Sequence, residues 1–275
     1  MTLSIEKQEK LLLSLRDMGS AAVAFSGGVD SSYLLSVAKE ALGNLAVAFI
    51  GRSASYPKRE LESALKLAVS LGCEFVVVDT EELANPEYRE NPPHRCRVCK
   101  TELFSKFKNI AGQRGIRHVL EGSNADDLND YRPGLEAVAA LGVRSPLCEV
   151  GLTKSEIRAL SKQRGLPTWN KPAMACLASR IPYGEIIDAP RLQRIERAEN
   201  TLHDMGYALC RVRDHGPVAR IEISPESIPR LLEHAERESI VAALREAGYK
   251  YVSVDLEGYR TGAMNEVLPN LAKRS

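Results

Sequence analysis

A doubly wound α/β domain built on a parallel sheet, with a smaller C-terminal α+β domain, is the fold this sequence predicts, and three observations predict it. Up to residue 165 short apolar β-rich runs alternate with longer amphipathic stretches. Residues 167–190 hold four prolines and no clean period, and strand and helix patterns resume afterwards. Apolar strands separated by helices are covered on both faces and joined by right-handed crossovers, which keeps them parallel. In order, the strands are AAVAF (21–25), LAVAF (45–49), EFVVVD (74–79), RHVLEG (117–122) and a short fifth, RSPL (144–147), with helices between them. The stretch PTWNKPAMACLASRIPYGEIIDAP (167–190) predicts a long ordered loop at a domain boundary, of the kind that carries function. Beyond it come a helix (190–205), the strands LCRVRDH (209–215) and VARIEIS (218–224), helical sequence over 226–247 and a last strand, KYVSVDL (250–256). The implied division is 1–166, 167–188 and 189–275.

At 275 residues the chain can bury a substantial core in one large or two ordinary domains. Its 37 Lys and Arg against 36 Asp and Glu leave a net charge of +1, so no overall field draws it to nucleic acid or anionic membrane. From 189 to 275 the count is 13 against 13, which argues further against a nucleic-acid-binding appendage. The start lacks a signal-length apolar run and nowhere do about 18 apolar residues follow one another, so the expectation is a soluble, cytoplasmic protein with no membrane partner. A homo-oligomer is the expected assembly. Six cysteines are too few and scattered for a disulfide scaffold, and in a reducing compartment special ones serve chemistry or metal binding. Cys73, Cys148 and Cys210, beside strand or core sequence, read as inert small hydrophobes.

Ser26-Gly27-Gly28-Val29-Asp30-Ser31-Ser32 lies between the first strand and the first helix after it, where open α/β sheets bind their ligands. The glycines let backbone N–H groups turn inward, the hydroxyls of Ser26, Ser31 and Ser32 add donors, and the helix points its positive end at an anion. A phosphate-binding loop is the reading. Asp30 fits it by bridging Mg²⁺ to phosphate, or it caps the helix. No Walker lysine is present, so transfer of a γ-phosphate is not its task.

The string SGGVDSS resembles the pyrophosphate loop of the ATP pyrophosphatase (PP-loop) superfamily, whose nucleotide-binding domain is of the adenine nucleotide alpha hydrolase-like type. Its members split ATP between the α and β phosphates and adenylate a substrate oxygen. The resemblance implies that Ser26, Gly27, Gly28, Asp30, Ser31 and Ser32 hold the pyrophosphate portion of ATP. Gly122, Asp126 and Asp127 of EGSNADDLNDYRPG (121–134) then form a second ATP- or metal-contacting loop, an acidic solvated turn being the alternative. With WNKPAMACLASRIPYG (169–184), RVRDHGPVARIEI (211–223) and DLEGYRTGAMN (255–265), essentially the whole chain resembles the LarE family, sulfur transferases that make the nickel-pincer cofactor of lactate racemase.

That family implies a PP-loop ATP-binding domain (1–166), an active-site loop (167–188) and a substrate-binding domain (189–275). ATP adenylates a carboxylate of a pyridinium dicarboxylate mononucleotide, a cysteine thiolate attacks the acyl adenylate, and elimination from the thioester leaves thiocarboxylate and dehydroalanine. Cys176 is the matching cysteine, with Arg180 or Lys171 to lower its pKa. Without the resemblance, Cys176 in AMACLA reads as a buried small residue. Arg211 and Arg213, two apart on a strand, leave one face and can fork onto one substrate phosphate, with Arg260 as a third member. A solvated basic strand face is the alternative. Glu199 and Glu222 are candidates for an acidic site near Cys176, for metal binding or proton removal, although a helix glutamate such as Glu199 is more commonly solvated.

HRCRVCK (94–100) sets Cys96 and Cys99 in a C-x-x-C just before a helix, a spacing that suits Fe–S or zinc ligation or a redox pair. No second C-x-x-C completes a zinc site. Some sulfur-inserting PP-loop enzymes hold a [4Fe–4S] cluster by three cysteines, and Cys96, Cys99 and Cys176 are the three here. Sulfur then comes from a cluster-bound sulfide and Cys176 is not consumed. The rivals are a tRNA-thiolating enzyme, which calls for a basic flank, an ammonia-dependent adenylating synthetase, which needs no special cysteine, and a non-catalytic nucleotide-binding module.

Overall fold

A computed structural model describes residues 2–129, 133–260 and 262–267. They fall into two units, one of Met1–Glu82 with Cys96–Met174, the other of Leu83–Arg95 with Ala175–Ser275. The change at 174/175 lies inside the proline-rich loop. The excursion of 83–95 into the second unit has no counterpart in the expected division.

The first unit begins with α1 (Thr2–Met18), followed by β1 (Ala21–Ala24), α2 (Val29–Leu42), β2 (Ala46–Arg52), α3 (Lys58–Ser70) and β3 (Glu74–Asp79). After α4 (Pro86–Arg89) in the second unit come α5 (Arg95–Gln113), β4 (His118–Leu120), α6 (Pro133–Ala140), α7 (Pro146–Glu149) and α8 (Lys154–Gln163). The strands run parallel in the order β3-β2-β1-β4, so the order reverses between β1 and β4. Both faces are covered, as the residue alternation requires: Ala21, Val23, Ala48 and Ile50 enter one apolar cluster, and Ala22, Val47, Phe49 and Val119 the other. The expected fifth strand at 144–147 is corrected. Arg144 makes a single parallel bridge to Leu120, and Pro146, which lacks an N–H for a ladder, starts α7 instead.

The second unit carries α9 (Ala189–Asp204), β5 (Cys210–His215), β6 (Val218–Ile223), α10 (Ile228–Leu231), α11 (His234–Glu246) and β7 (Tyr251–Val254). β5 and β6 pair antiparallel, and β6 and β7 parallel. Asp188 caps α9 by accepting from the Arg191 amide at 2.8 Å. Cys210, Val212, Ala219, Ile221, Leu202 and Leu244 form the core. Asp214 on β5 is fully buried yet satisfied, with Arg191 at 2.8 Å, Arg194 at 2.5 Å and the Tyr249 hydroxyl at 3.1 Å. Among the described residues no helix is long and apolar enough to cross a membrane.

Candidate active site

The glycine-serine loop leaves the carboxyl end of β1 at the point where the strand order reverses, the place where open α/β sheets form a ligand crevice. Gly27 has φ +63°, and a Cβ there would lie 3.0 Å from the Ala64 Cβ. Both facts call for glycine. Gly28 is the N-cap of α2, and Asp30 in its first turn suits the positive helix end. The Ser31 hydroxyl lies 3.2 Å from that of Ser26 and 3.3 Å from the Ser26 amide. Ser32 is fully buried, and its hydroxyl has no hydrogen-bond partner. Tyr56 donates to the Ser26 carbonyl at 2.7 Å, and burial followed by Glu60 pushes its pKa up, so it stays a donor.

Two lysines close on this loop. Lys154, the first residue of α8, places its Nζ 2.5 Å from Asp30 Oδ2, while its amide donates to Asp126 at 2.9 Å. Lys171 donates to the Gly27 carbonyl at 3.1 Å and pairs with Glu60 at 2.5 Å. Lys171, read as a neighbour of Cys176, has these loop partners in the first unit. Gly122 follows β4 so closely that a Cβ would lie 3.1 Å from the Ser31 amide nitrogen, and this approach brings the second loop to the first. Asp127 accepts from the Asn124 amide at 3.0 Å, and Asp126 caps α8 through Lys154. Cys148 donates to the Asn124 carbonyl at 2.9 Å, and burial, then Glu121 and Asp127, push its thiol up to about 11. Alkylation with iodoacetamide at pH 8 should therefore modify exposed Cys96 well before Cys148, as peptide mass mapping would show.

In the second unit Cys176 is the N-cap of a 3₁₀ turn, Leu177–Arg180, and three donors fix its carbonyl. They are the Ser179 amide at 3.0 Å, the Ser179 hydroxyl at 2.7 Å and Arg180 at 2.9 Å. Arg180 is almost wholly buried, forks onto Glu199 with two 2.8 Å bonds, and also reaches the Ala175 carbonyl at 2.8 Å. Glu199 in turn accepts from the Val212 amide at 2.9 Å. It is buried, not solvated.

Arg211 and Arg213 share a face of β5, as their spacing predicts, but both are buried. Arg213 forks onto Glu222 at 2.9 and 2.7 Å and donates to the Ser179 carbonyl at 2.8 Å. Arg220 binds the same Glu222 at 3.0 Å. Arg211 lies 5.3 Å from the Tyr259 ring centre, and burial, then the charge of Arg180, lower its pKa. Arg260 is paired with Glu257 at 2.9 Å and Glu266 at 3.1 Å. Glu199 and Glu222 are thus engaged by arginines.

Cys96 and Cys99 do not precede a helix: α5 starts at Arg95, so both lie in its opening turns, three residues apart and on one side. They belong to the first unit and Cys176 to the second. Among the described residues no three His, Cys, Asp or Glu side chains stand together as a metal site. Sequence reasoning missed Lys154 and Tyr56. Lys154 carried a signal, since a lysine at a helix start opposes the dipole unless an anion is at hand.

The asparagine synthase family model matches residues 13–175. An uncharacterized protein of Synechocystis sp. is 43% identical over 262 residues, 95% of this chain and 98% of the relative. Pyridinium-3,5-bisthiocarboxylic acid mononucleotide synthase of Lactiplantibacillus plantarum is 35% identical over 263 residues, 95% of each chain. Similarity to an argininosuccinate synthase of Haloarcula marismortui, 30% over 162 residues, spans 54% of this chain and 38% of that one.

Proposed function

The chain belongs to the family of pyridinium-3,5-bisthiocarboxylic acid mononucleotide synthases, a branch of the PP-loop ATP-utilising enzymes, and on that premise we propose how its residues convert a carboxylate to a thiocarboxylate. The substrate is a pyridinium dicarboxylate mononucleotide. The observation that carries the reading is the match to the synthase along 95% of both chains, which takes in the serine-glycine loop and the Cys176 turn alike.

In the first step a substrate carboxylate oxygen attacks the α-phosphorus of ATP, the bond from that phosphorus to the β-bridging oxygen breaks, and pyrophosphate leaves. The loop amides and the hydroxyls of Ser31 and Ser32 hold the pyrophosphate, which gives the unpartnered Ser32 hydroxyl its role. Asp30 offers Mg²⁺ a hard oxygen beside the phosphates and Lys154 is within reach to neutralise the leaving charge. Arg211 and Arg213, with Arg260, hold the phosphate of the mononucleotide, the last two by giving up bonds to Glu222, Glu257 and Glu266. Glu199 and Glu222 orient arginines. In the second step the Cys176 thiolate attacks the acyl adenylate, AMP leaves and a thioester forms.

The soft thiolates of Cys96, Cys99 and Cys176 suit a [4Fe–4S] cluster, and the positive end of α5 favours thiolate at Cys96. Held by three cysteines, a cluster would supply sulfide from its open iron, and Cys176 would then be a ligand in place of the attacking thiol. A second reading makes Cys176 itself the sulfur donor, on a turn where three donors already fix its carbonyl. There a base removes the Cα proton of the thioester-bound Cys176, the Cβ–S bond breaks, and the thiocarboxylate departs with the cysteine sulfur.

Pyrophosphate release from ATP and substrate tests the first step. Asp30→Ala should lower it on the order of 10²-fold, as loss of a charge-stabilising group does. Ser31→Ala/Ser32→Ala should lower it comparably. Ser32→Ala alone should raise the urea midpoint, since an unsatisfied buried hydroxyl costs about 1 kcal/mol or more. Unchanged release in all these variants would remove the loop from the mechanism.

A further inference from the structure

Among the described residues Asn91 is the non-glycine residue with a left-handed backbone, at φ +55°, and it is fully buried. Such a backbone costs a non-glycine residue about 1 kcal/mol or more and persists where the surroundings over-determine it. Here they do. Its side-chain nitrogen donates to the carbonyls of Ile181 at 3.1 Å and Pro182 at 2.7 Å, and its side-chain oxygen accepts from Arg95 at 2.8 Å. Its own carbonyl accepts from the Gly184 amide at 3.0 Å, and the neighbouring Arg89 carbonyl accepts from Ile187 at 2.8 Å. Arg95, held by Asn91, lies 4.9 Å from the Tyr183 ring centre and reaches the Met264 sulfur at 3.8 Å. One amide therefore laces 88–95 to 181–187 and, through Arg95, to the segment after Arg260.

The position of this knot along the chain matters. Ile181 stands five residues after Cys176, so a short tether runs from the knot to that thiol. Arg180, next to Ile181, is the one whose guanidinium holds the Cys176 carbonyl. We propose that Asn91 is a positioning residue for the sulfur step, anchoring the Cys176 turn through the Ile181 and Pro182 carbonyls. This rests on the reading that Cys176 and its companions handle sulfur. The serine-glycine loop belongs to the other unit, and pyrophosphate release is the step expected to stay unchanged.

The test uses full-length, anaerobically prepared protein at saturating substrate, with Asn91→Ala and Asn91→Gly. Glycine accepts the left-handed backbone without strain but lacks the amide, so it separates conformation from lacing. Both variants should release pyrophosphate within about two-fold of wild type and form thiocarboxylate at least about 10-fold more slowly, through kcat and not KM. Thiocarboxylate formation at the wild-type rate in Asn91→Gly would overturn the proposal. So would a parallel fall of both steps in both variants, which marks a residue that only supports the fold. If the wild-type protein itself makes no thiocarboxylate, it is the underlying functional reading that fails.

Discussion

Cys176→Ala is expected to keep releasing pyrophosphate from ATP and substrate while thiocarboxylate formation falls on the order of 10⁴-fold or more, the scale of losing a group on which a step depends. An ammonia-using synthetase would lose nothing. The same preparation separates the two sulfur sources. On the cluster route anaerobically reconstituted protein is brown, loses its colour in Cys96→Ser, Cys99→Ser or Cys176→Ser, keeps its mass after reaction, and turns over repeatedly with added sulfide. On the consumed-cysteine route the Cys96→Ser/Cys99→Ser variant retains a single turnover and the polypeptide emerges lighter by the elements of H₂S, about 34 Da. Iron content and intact mass after turnover decide between them. Full thiocarboxylate yield from Cys176→Ala would overturn both.

Arg180→Met should lower stability by about 3–5 kcal/mol, because it strands the buried Glu199 carboxylate with the Val212 amide as its remaining partner shown here. Urea unfolding monitored at Trp169 and by far-UV signal would measure it. Removing both charges in Arg180→Met/Glu199→Leu should recover much of the loss, since an apolar pair carries no desolvation cost. The double variant should nevertheless remain defective in the sulfur step, because the Cys176 carbonyl has lost one of its three donors. A single variant within about 1 kcal/mol of wild type would show that the pair is not what holds the turn.

What could be read in advance depended on how local the cause was. The turn at Gly27 is legible because a left-handed glycine between a strand and a helix is a local requirement. The shared face of Arg211 and Arg213 follows from the two-residue period of a strand. The burial of Arg213 does not, since Glu222 on the neighbouring strand and the Ser179 carbonyl engage it, contacts set by pairing register and not by spacing. Pro146 is a local signal against the fifth strand, since it has no N–H for a ladder. Asn91 carries no local signal, because both carbonyls it serves lie ninety residues or more along the chain.

The excursion of residues 83–95 bears on how this protein is put together as a gene product. A two-domain chain joined once can be divided by a single cut and its halves shuffled, expressed or lost separately. Here the path changes unit at 82/83, 95/96 and 174/175. A fragment ending before the proline-rich loop would carry Tyr88 and Asn91, both buried in the whole protein, away from the segments that cover them. No single cut therefore separates the two units: one placed before Leu83, after Arg95 or after Met174 leaves part of one unit joined to the other.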